Sequence, residues 1–186
     1  MSEPARTKVV YEDLYNLPEN MIGEIIDGDL IATPRPTRGH ADAAASLGAE
    51  LVPPYRFGRG GPGGWMIYHE PELHLGQNIL VPDLAGWKRE RFSTPREEHR
   101  FTVPPDWVCE ILSPRTARDD RMKKMRIYAQ QEVQHAWLID PIICTLEVFR
   151  LESGKWLLLD VFSENARVRV EPFQEIEIDL GSLWSE

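Results

Sequence analysis

Two carboxylates sit in short apolar runs, where an unpaired charge is costly. Asp83 lies in VPDLAGW (Val81–Trp87) and Glu110 in DWVCEILSP (Asp106–Pro114), each run reading as a strand. Directly behind the second comes RTARDDRMKKMRIYAQ (Arg115–Gln130), a basic stretch of helical period carrying Lys123 and Lys124. Side chains alternate along a strand, so Glu110 shares its face with Val108 and Leu112. A carboxylate among such neighbours costs free energy unless a cation or hydrogen bonds compensate. Asp83 follows Pro82, which cannot donate to a strand ladder and marks an edge or bend. Mg²⁺ takes one or two carboxylates, several waters and a phosphate oxygen. Two acids at neighbouring strand ends with a lysine close behind meet that demand, and the chemistry they suit is attack on a phosphate ester. The spacing alone does not single out that chemistry.

The rest of the chain must supply a frame for these residues. Val9–Asn20 predicts a short helix or turn stopped by Pro18, and Gly23–Pro34 a hairpin around Asp27-Gly28. The Ala- and Leu-rich stretch from His40 to Tyr55 predicts a helix ended by Pro53-Pro54. Strands are expected over Trp65–Leu75 and Asn78–Trp87, joined at Gly76-Gln77, with a loop over Lys88–Arg100. Trp107–Leu112 predicts a strand, and Thr116 with Asp119 forms a weak capping box opening a helix from Ala117 to about Glu132. Met122, Met125 and Ala129 form its expected buried stripe. Further strands are expected over His135–Pro141, Cys144–Leu151, Trp156–Phe162 and roughly Pro172–Ile178. The order gives the α/β or α+β class: a mixed central sheet flanked by helices, with the strands on either side of the Arg115–Gln130 helix parallel.

At 186 residues and 42% hydrophobic, the chain is long enough to bury a core and is expected to form one domain over 1–186. No signal peptide or membrane span is legible in it. Cys109 and Cys144 read as buried thiols of a reducing compartment, which makes the cytoplasm the default location. The net charge of −9 argues at face value against a polyanionic partner. Its distribution changes that, because the ends carry the excess: residues 31–151 hold 15 acids and 16 bases. Arg115–Arg126 alone holds six bases against two acids, a pattern equally typical of a solvated helix face.

Two motifs lead elsewhere and are set aside. Gly58, Gly60 and Gly63 match G-x-G-x-x-G, but this segment follows a helix and opens a strand, the reverse of a dinucleotide loop. HEPELH (His69–His74) suggests zinc, yet its histidines are five apart with Pro71 between them, not four apart on a helix. On a strand, Glu70, Glu72 and His74 would share one face, expected to be the solvent side.

Taken in order, EIIDG (Glu24–Gly28), His40, Pro82-Asp83, EILSP (Glu110–Pro114), Asp120-Arg121, Lys124, Tyr128 and AWLIDP (Ala136–Pro141) resemble the Uma-two family of endonucleases, in the PD-(D/E)xK nuclease superfamily. The resemblance covers nearly the whole chain. It implies a restriction-endonuclease-like core with extra amino- and carboxy-terminal strands, and Mg²⁺-dependent hydrolysis of DNA phosphodiesters, Mn²⁺ substituting. Asp83, Glu110 and Lys124 would be catalytic. Asp83 and Glu110, joined by Glu24, would be the metal ligands, and His40, Arg118 and Arg121 the nucleic-acid contacts.

One departure matters. The superfamily's usual motif places a lysine two residues after the second acid, and here that position is Leu112. The lysine is expected from the following helix, as Lys124 with Lys123 as the alternative. On an exposed helix face Lys124→Ala would leave folding nearly intact. DNA binding is expected to be weak and salt-dependent. A homodimer is expected too, for which LGSLWSE (Leu180–Glu186) offers apolar material. The rival function is a catalytically inactive module of the same fold, serving dimerisation or the binding of nucleic acid or protein.

Overall fold

The structure, a computed structural model, describes residues 9–184. The first eight and last two residues of the 1–186 span, and with them the end of the LGSLWSE segment, lie outside the described residues. After a 3-10 turn at Tyr11–Asn16, strands β1 (Met21–Ile26) and β2 (Asp29–Pro34) form the expected hairpin. Ile26 faces Asp29 across it, so Asp27 and Gly28 alone make the turn. Both have positive φ (54° and 83°), the backbone a two-residue turn of this kind requires.

Helix α1 (Arg38–Leu51) begins earlier than its sequence signal and continues as a wide turn over Val52–Arg56. Pro53 and Pro54 therefore do not end it. Lacking N–H groups, they are bypassed by a longer bond from the Phe57 amide to the Val52 carbonyl (3.3 Å).

The next two expected strands are each two. Strands β3 (Trp65–His69) and β4 (Glu72–Leu75) are separated by Glu70, at φ 44°, and Pro71. Strands β5 (Asn78–Leu80) and β6 (Leu84–Lys88) are separated by Val81-Pro82-Asp83. Each proline denies the ladder a donor, so the chain bends out of one sheet and into another. The Lys88–Arg100 loop holds a 3-10 turn (Arg89–Arg91) and meets β7 (Arg100–Phe101), and Phe92 packs with Phe101, Trp87 and Tyr68.

Strand β8 (Trp107–Ile111) leads into α2 (117–130), one helical run whose central turn, Asp120–Lys124, is π-helical. Thr116 makes no side-chain cap; its amide instead donates to the Ser113 hydroxyl (3.2 Å). Strands β9 (His135–Asp140), β10 (Thr145–Glu152) and β11 (Lys155–Ser163) follow as expected, then β12 (Arg167–Val168) and β13 (Ile178–Asp179). The strand expected over 172–178 is instead mostly turns around the buried Phe173, which packs on Tyr55, Trp65, Trp107 and Trp137.

Six strands in the order β11-β10-β9-β8-β6-β3 make the central sheet, mixed because β8 and β9 run parallel across the α2 crossover. A five-stranded sheet, β2-β1-β5-β4-β7, packs with α2 on one face, and α1 covers the other. Alternation along β8 sends Trp107, Cys109 and Ile111 toward α1, Leu47 and Leu51, and Val108 with neighbouring Leu112 toward Met125, Ile127 and Tyr128. The chain is thus a mixed α+β fold. The widened turn in α2 carries Asp120 and Lys124 to its buried side and leaves Met122 64% exposed, so the expected Met122 stripe is corrected. Cys109 is buried, but Cys144 lies at φ 52° in the turn before β10 and is half-buried rather than a core thiol. No helix among the described residues is long and apolar enough to cross a membrane.

Candidate active site

The two places where strands change sheets set the site. Asp83 ends the β5–β6 passage beside β8, with Leu84 opposite Cys109. Its Oδ2 accepts from the Ile111 amide (2.6 Å), and its carbonyl accepts from the Glu70 amide (3.0 Å). Its Oδ1 meets Nε2 of His40 on the first turn of α1 (2.6 Å). Glu24 enters from β1, where its Oε1 accepts from the Val81 amide (2.8 Å). The hairpin, α1 and the central sheet therefore converge on one floor.

Glu110 points toward α2, as its alternation with Val108 requires. Its Oε1 accepts from the Tyr128 hydroxyl (2.5 Å) and its Oε2 from the Lys124 ammonium (3.3 Å). The Lys124 Nζ also lies 2.9 Å from Glu24 Oε1 and 3.2 Å from Asp120 Oδ1. Lys124 is only 5% exposed, against the expectation of an open helix face, because the π turn drives it inward. Its pairing with Asp120 four residues earlier exists, but as one of three contacts.

Electrostatics follow from the count of charges. Glu24, Glu110 and Asp120 gather around a single ammonium, and Asp83 lines the same cavity. Burial pushes the Glu110 carboxyl well above its ordinary 4.5; Lys124 opposes this, and the charges of Asp120, Asp83 and Glu24 reinforce it. Asp120 is raised by burial in the same way, again against Lys124. Burial disfavours the Lys124 charge, yet Glu110, Glu24 and Asp120 outweigh it and hold the lysine well above 10.5, so it stays protonated. For His40, burial works against the charge, but the hydrogen bond and charge of Asp83 prevail and raise its pKa.

A hard divalent cation suits this donor set: every candidate ligand is a carboxylate oxygen, and the negative charge exceeds what one lysine can balance. Among the described residues no group of three His, Cys, Asp or Glu side chains is already gathered as a cage. Both oxygens of Glu110 and of Asp83 are held by protein donors.

The site residues read from sequence divide clearly. Glu24, His40, Asp83, Glu110 and Lys124 all line one cavity. Lys123 does not: it makes a surface pair with Asp119 (3.1 Å). Of the two arginines expected to contact nucleic acid, Arg121 pairs with Glu147 on β10 (2.8 Å) and Arg118 is exposed on α2. The HEPELH histidines fall on strands of different sheets. His74 lies 2.7 Å from Glu72, which accepts from the Tyr11 hydroxyl, so this face is half-buried rather than solvent-facing. The charged cavity residues Asp120, Arg35 and Arg115 were not among those assigned a role. The i, i+4 spacing of Asp120 and Lys124 was the available signal for the first; Pro34, Pro36 and Pro114 beside the arginines hinted at rigid rims for the others.

The model of the Uma2 family, described as "Putative restriction endonuclease", matches residues 11–181. This chain belongs to the Uma2 family. One solved structure similar to this Uma2 chain is that of a "putative nuclease" from Anabaena variabilis, 25% identical, covering 95% of this chain and 97% of its own, with a TM-score of 0.73. No curated protein matches this Uma2 chain.

Proposed function

We propose that this Uma2 chain is a divalent-metal-dependent endonuclease that hydrolyses DNA phosphodiester bonds. The observation that carries the reading is the Lys124 ammonium, buried among Glu24, Glu110 and Asp120 beside Asp83 on the floor of an open cavity. A charged lysine so enclosed has no packing purpose that an apolar residue would not serve as well, since buried pairs rarely stabilise more than hydrophobic replacements. Facing a pocket, it suits the negative charge that develops on a phosphoryl oxygen.

Asp83 and Glu110, with Glu24, would hold Mg²⁺ or Mn²⁺; the cation supplies Lewis-acid polarisation of the phosphoryl group and a water of lowered pKa. The remaining work falls to protein groups. Lys124, whose three N–H donors face Glu24, Glu110 and Asp120, would turn one of them to a non-bridging oxygen. Tyr128 donates its hydroxyl proton to Glu110 Oε1 and fixes that carboxylate's rotamer. The Ile111 amide and His40 do the same for Asp83, and His40 stands at the cavity wall to contact phosphate or orient water. Water's oxygen bonds to phosphorus, one P–O bond to a sugar breaks, and the departing oxygen takes a proton. The test is cleavage of labelled DNA: activity with Mg²⁺ or Mn²⁺ and none in EDTA is expected. Equal cleavage in EDTA, or none under any condition, sinks the reading.

Assembly as a homodimer belongs to the same proposal, but through a different surface from the one read in sequence. Leu180 and Leu183 are spent in the chain's own core. Strand β11 instead ends the central sheet with its outer edge unpaired among the described residues, and it exposes Leu157, Leu158 and Val161. A long apolar edge is a template for strand pairing, and a second β11 related by a two-fold axis satisfies it. Sedimentation is expected to show a dimer that Leu158→Lys with Val161→Lys dissociates. A 21.4 kDa species of the unaltered protein at micromolar concentration contradicts it.

A further inference from the structure

The reactive groups lie at the bottom of a recess rather than on a surface. Glu24, Glu110, Asp120 and Lys124 are each no more than 5% exposed. Above them opens a cavity of about 390 Å³, the scale of a small-molecule site (roughly 300–1,000 Å³). Much of its lining surface is apolar, with Pro34 at the end of β2 and Pro36 just beyond it, and Ile111 at the end of β8 and Pro114 in the turn that follows. One nucleotide fits such a space. A duplex, with two paired strands side by side, is too wide to enter it.

The charges around the rim agree. Duplex DNA presents one phosphate per roughly 1.7 Å of axis and is held by many cations at once. Here Arg38 is paired with Asp42 (3.3 Å), Lys123 with Asp119 (3.1 Å) and Arg121 with Glu147. The arginines that line the cavity are Arg115 and Arg35, and among the described residues the Arg35 side chain makes a single hydrogen bond, of 3.5 Å, to the Glu19 carbonyl. They come from separate segments, Arg35 just after β2 and Arg115 just before α2. Two arginines over an acidic floor can grip the phosphates flanking one nucleotide, and little more.

Resting on the nuclease reading above, we propose that the substrate is an unpaired DNA strand, a single-stranded tail or flap, with one nucleotide entering the recess lined by the two proline-bearing segments and Arg35 and Arg115 acting as positioning residues. In the hydrolysis a P–O bond to water's oxygen forms as one to a sugar breaks, and the departing oxygen takes up a proton as the water loses one. Enzymes that reach a single nucleotide in a closed pocket require it single-stranded or extruded from the duplex, which makes an already unpaired strand the easier substrate.

The experiment compares one labelled sequence as a single strand, as a blunt duplex and as a duplex with a single-stranded tail, with Mg²⁺ present. Single strand and tail are expected to be cut at least about tenfold faster than the duplex, with tail cleavage confined to unpaired positions. Arg35→Ala and Arg115→Ala should raise KM for the single strand severalfold with kcat little changed. Cleavage of blunt duplex at the single-strand rate overturns the inference while leaving the nuclease reading intact. Binding by fluorescence anisotropy in EDTA reads the same preference without catalysis. Tighter single-strand binding, with a log–log salt slope near roughly −1.4 for two phosphates, supports it; equal or tighter duplex binding overturns it even where nothing is cut.

Discussion

Lys124→Ala is expected to lower DNA hydrolysis by about 10²-fold or more, the scale on which preorganised charge stabilisers act. Unlike a change on an exposed helix, it also destabilises the fold. Removing one partner of a buried ion cluster costs on the order of 3–5 kcal/mol, because the remaining charges lose their compensation. Three carboxylates here lean on one ammonium, so the cost belongs to them. The sign with pH follows. Glu110 and Asp120 have raised values in the folded protein, from 4.5 and 3.8 respectively, so the folded state holds protons more tightly than the unfolded chain. Stability therefore falls as pH rises above those ordinary values, and more steeply without Lys124. Thermal melts in EDTA should show Lys124→Ala recovering stability on acidification from neutral toward about pH 5. Activity, measured on protein shown to be folded, should stay lost. Lys124→Arg, which keeps the charge, serves as the control for burial. A folded Lys124→Ala that cleaves at the unaltered rate removes the lysine from the chemistry. Restoring a lysine at Leu112 should not help, because that position is 2% exposed and packs in the apolar cluster with Val108 and Met125.

The second large effect concerns the carboxylates. Asp83→Asn and Glu110→Gln are each expected to abolish calorimetric binding of Mg²⁺ or Mn²⁺ and to reduce cleavage by at least about 100-fold, since even outer partners of metal ligands cost 10–100-fold. Both substitutions preserve shape. In Asp83→Asn the side-chain carbonyl can still accept from the Ile111 amide. In Glu110→Gln it can still accept from the Tyr128 hydroxyl, so the backbone frame is retained. What changes is charge: each variant removes one of the four carboxylates that line the cavity beside Lys124, and with it part of the field that attracts a dication. Cation affinity unchanged in both variants would place the metal elsewhere or nowhere.

Much of this was legible in one dimension because the responsible signals are local. An acid inside an apolar strand is a local anomaly, and so Glu110 and Asp83 stand out. The Asp27-Gly28 turn and the strand–helix–strand crossover are equally local, set by backbone conformation and chain handedness. Family resemblance supplied Glu24, His40 and Lys124, whose partners lie 57, 43 and 14 residues away in sequence. The failures have a common origin in backbone irregularity. A π turn in α2 breaks the 3.6-residue period, exposing Met122 and burying Lys124 and Asp120. Positive φ at Glu70 and the prolines at 71 and 82 split two apparent strands between sheets, which alternation of apolar residues does not report. The Arg121 pair was not legible because Glu147, its partner, arrives from a strand beyond the crossover.

The strands that change sheets have a mechanical consequence. Glu110 belongs to the central sheet, Glu24 to the five-stranded sheet, and Asp83 to a passage between them. The span of the site is therefore governed by the angle at which two layers are mounted on each other. That angle depends on the packing of Ile26, Leu73 and Leu80, which share one apolar cluster and do not line the cavity. Trimming or enlarging these side chains tilts one layer and re-aims Glu24 relative to Glu110 and Lys124. Such a fold can retune the reach of its carboxylates, and hence the size of cation or strand it accepts, without replacing any residue within the site.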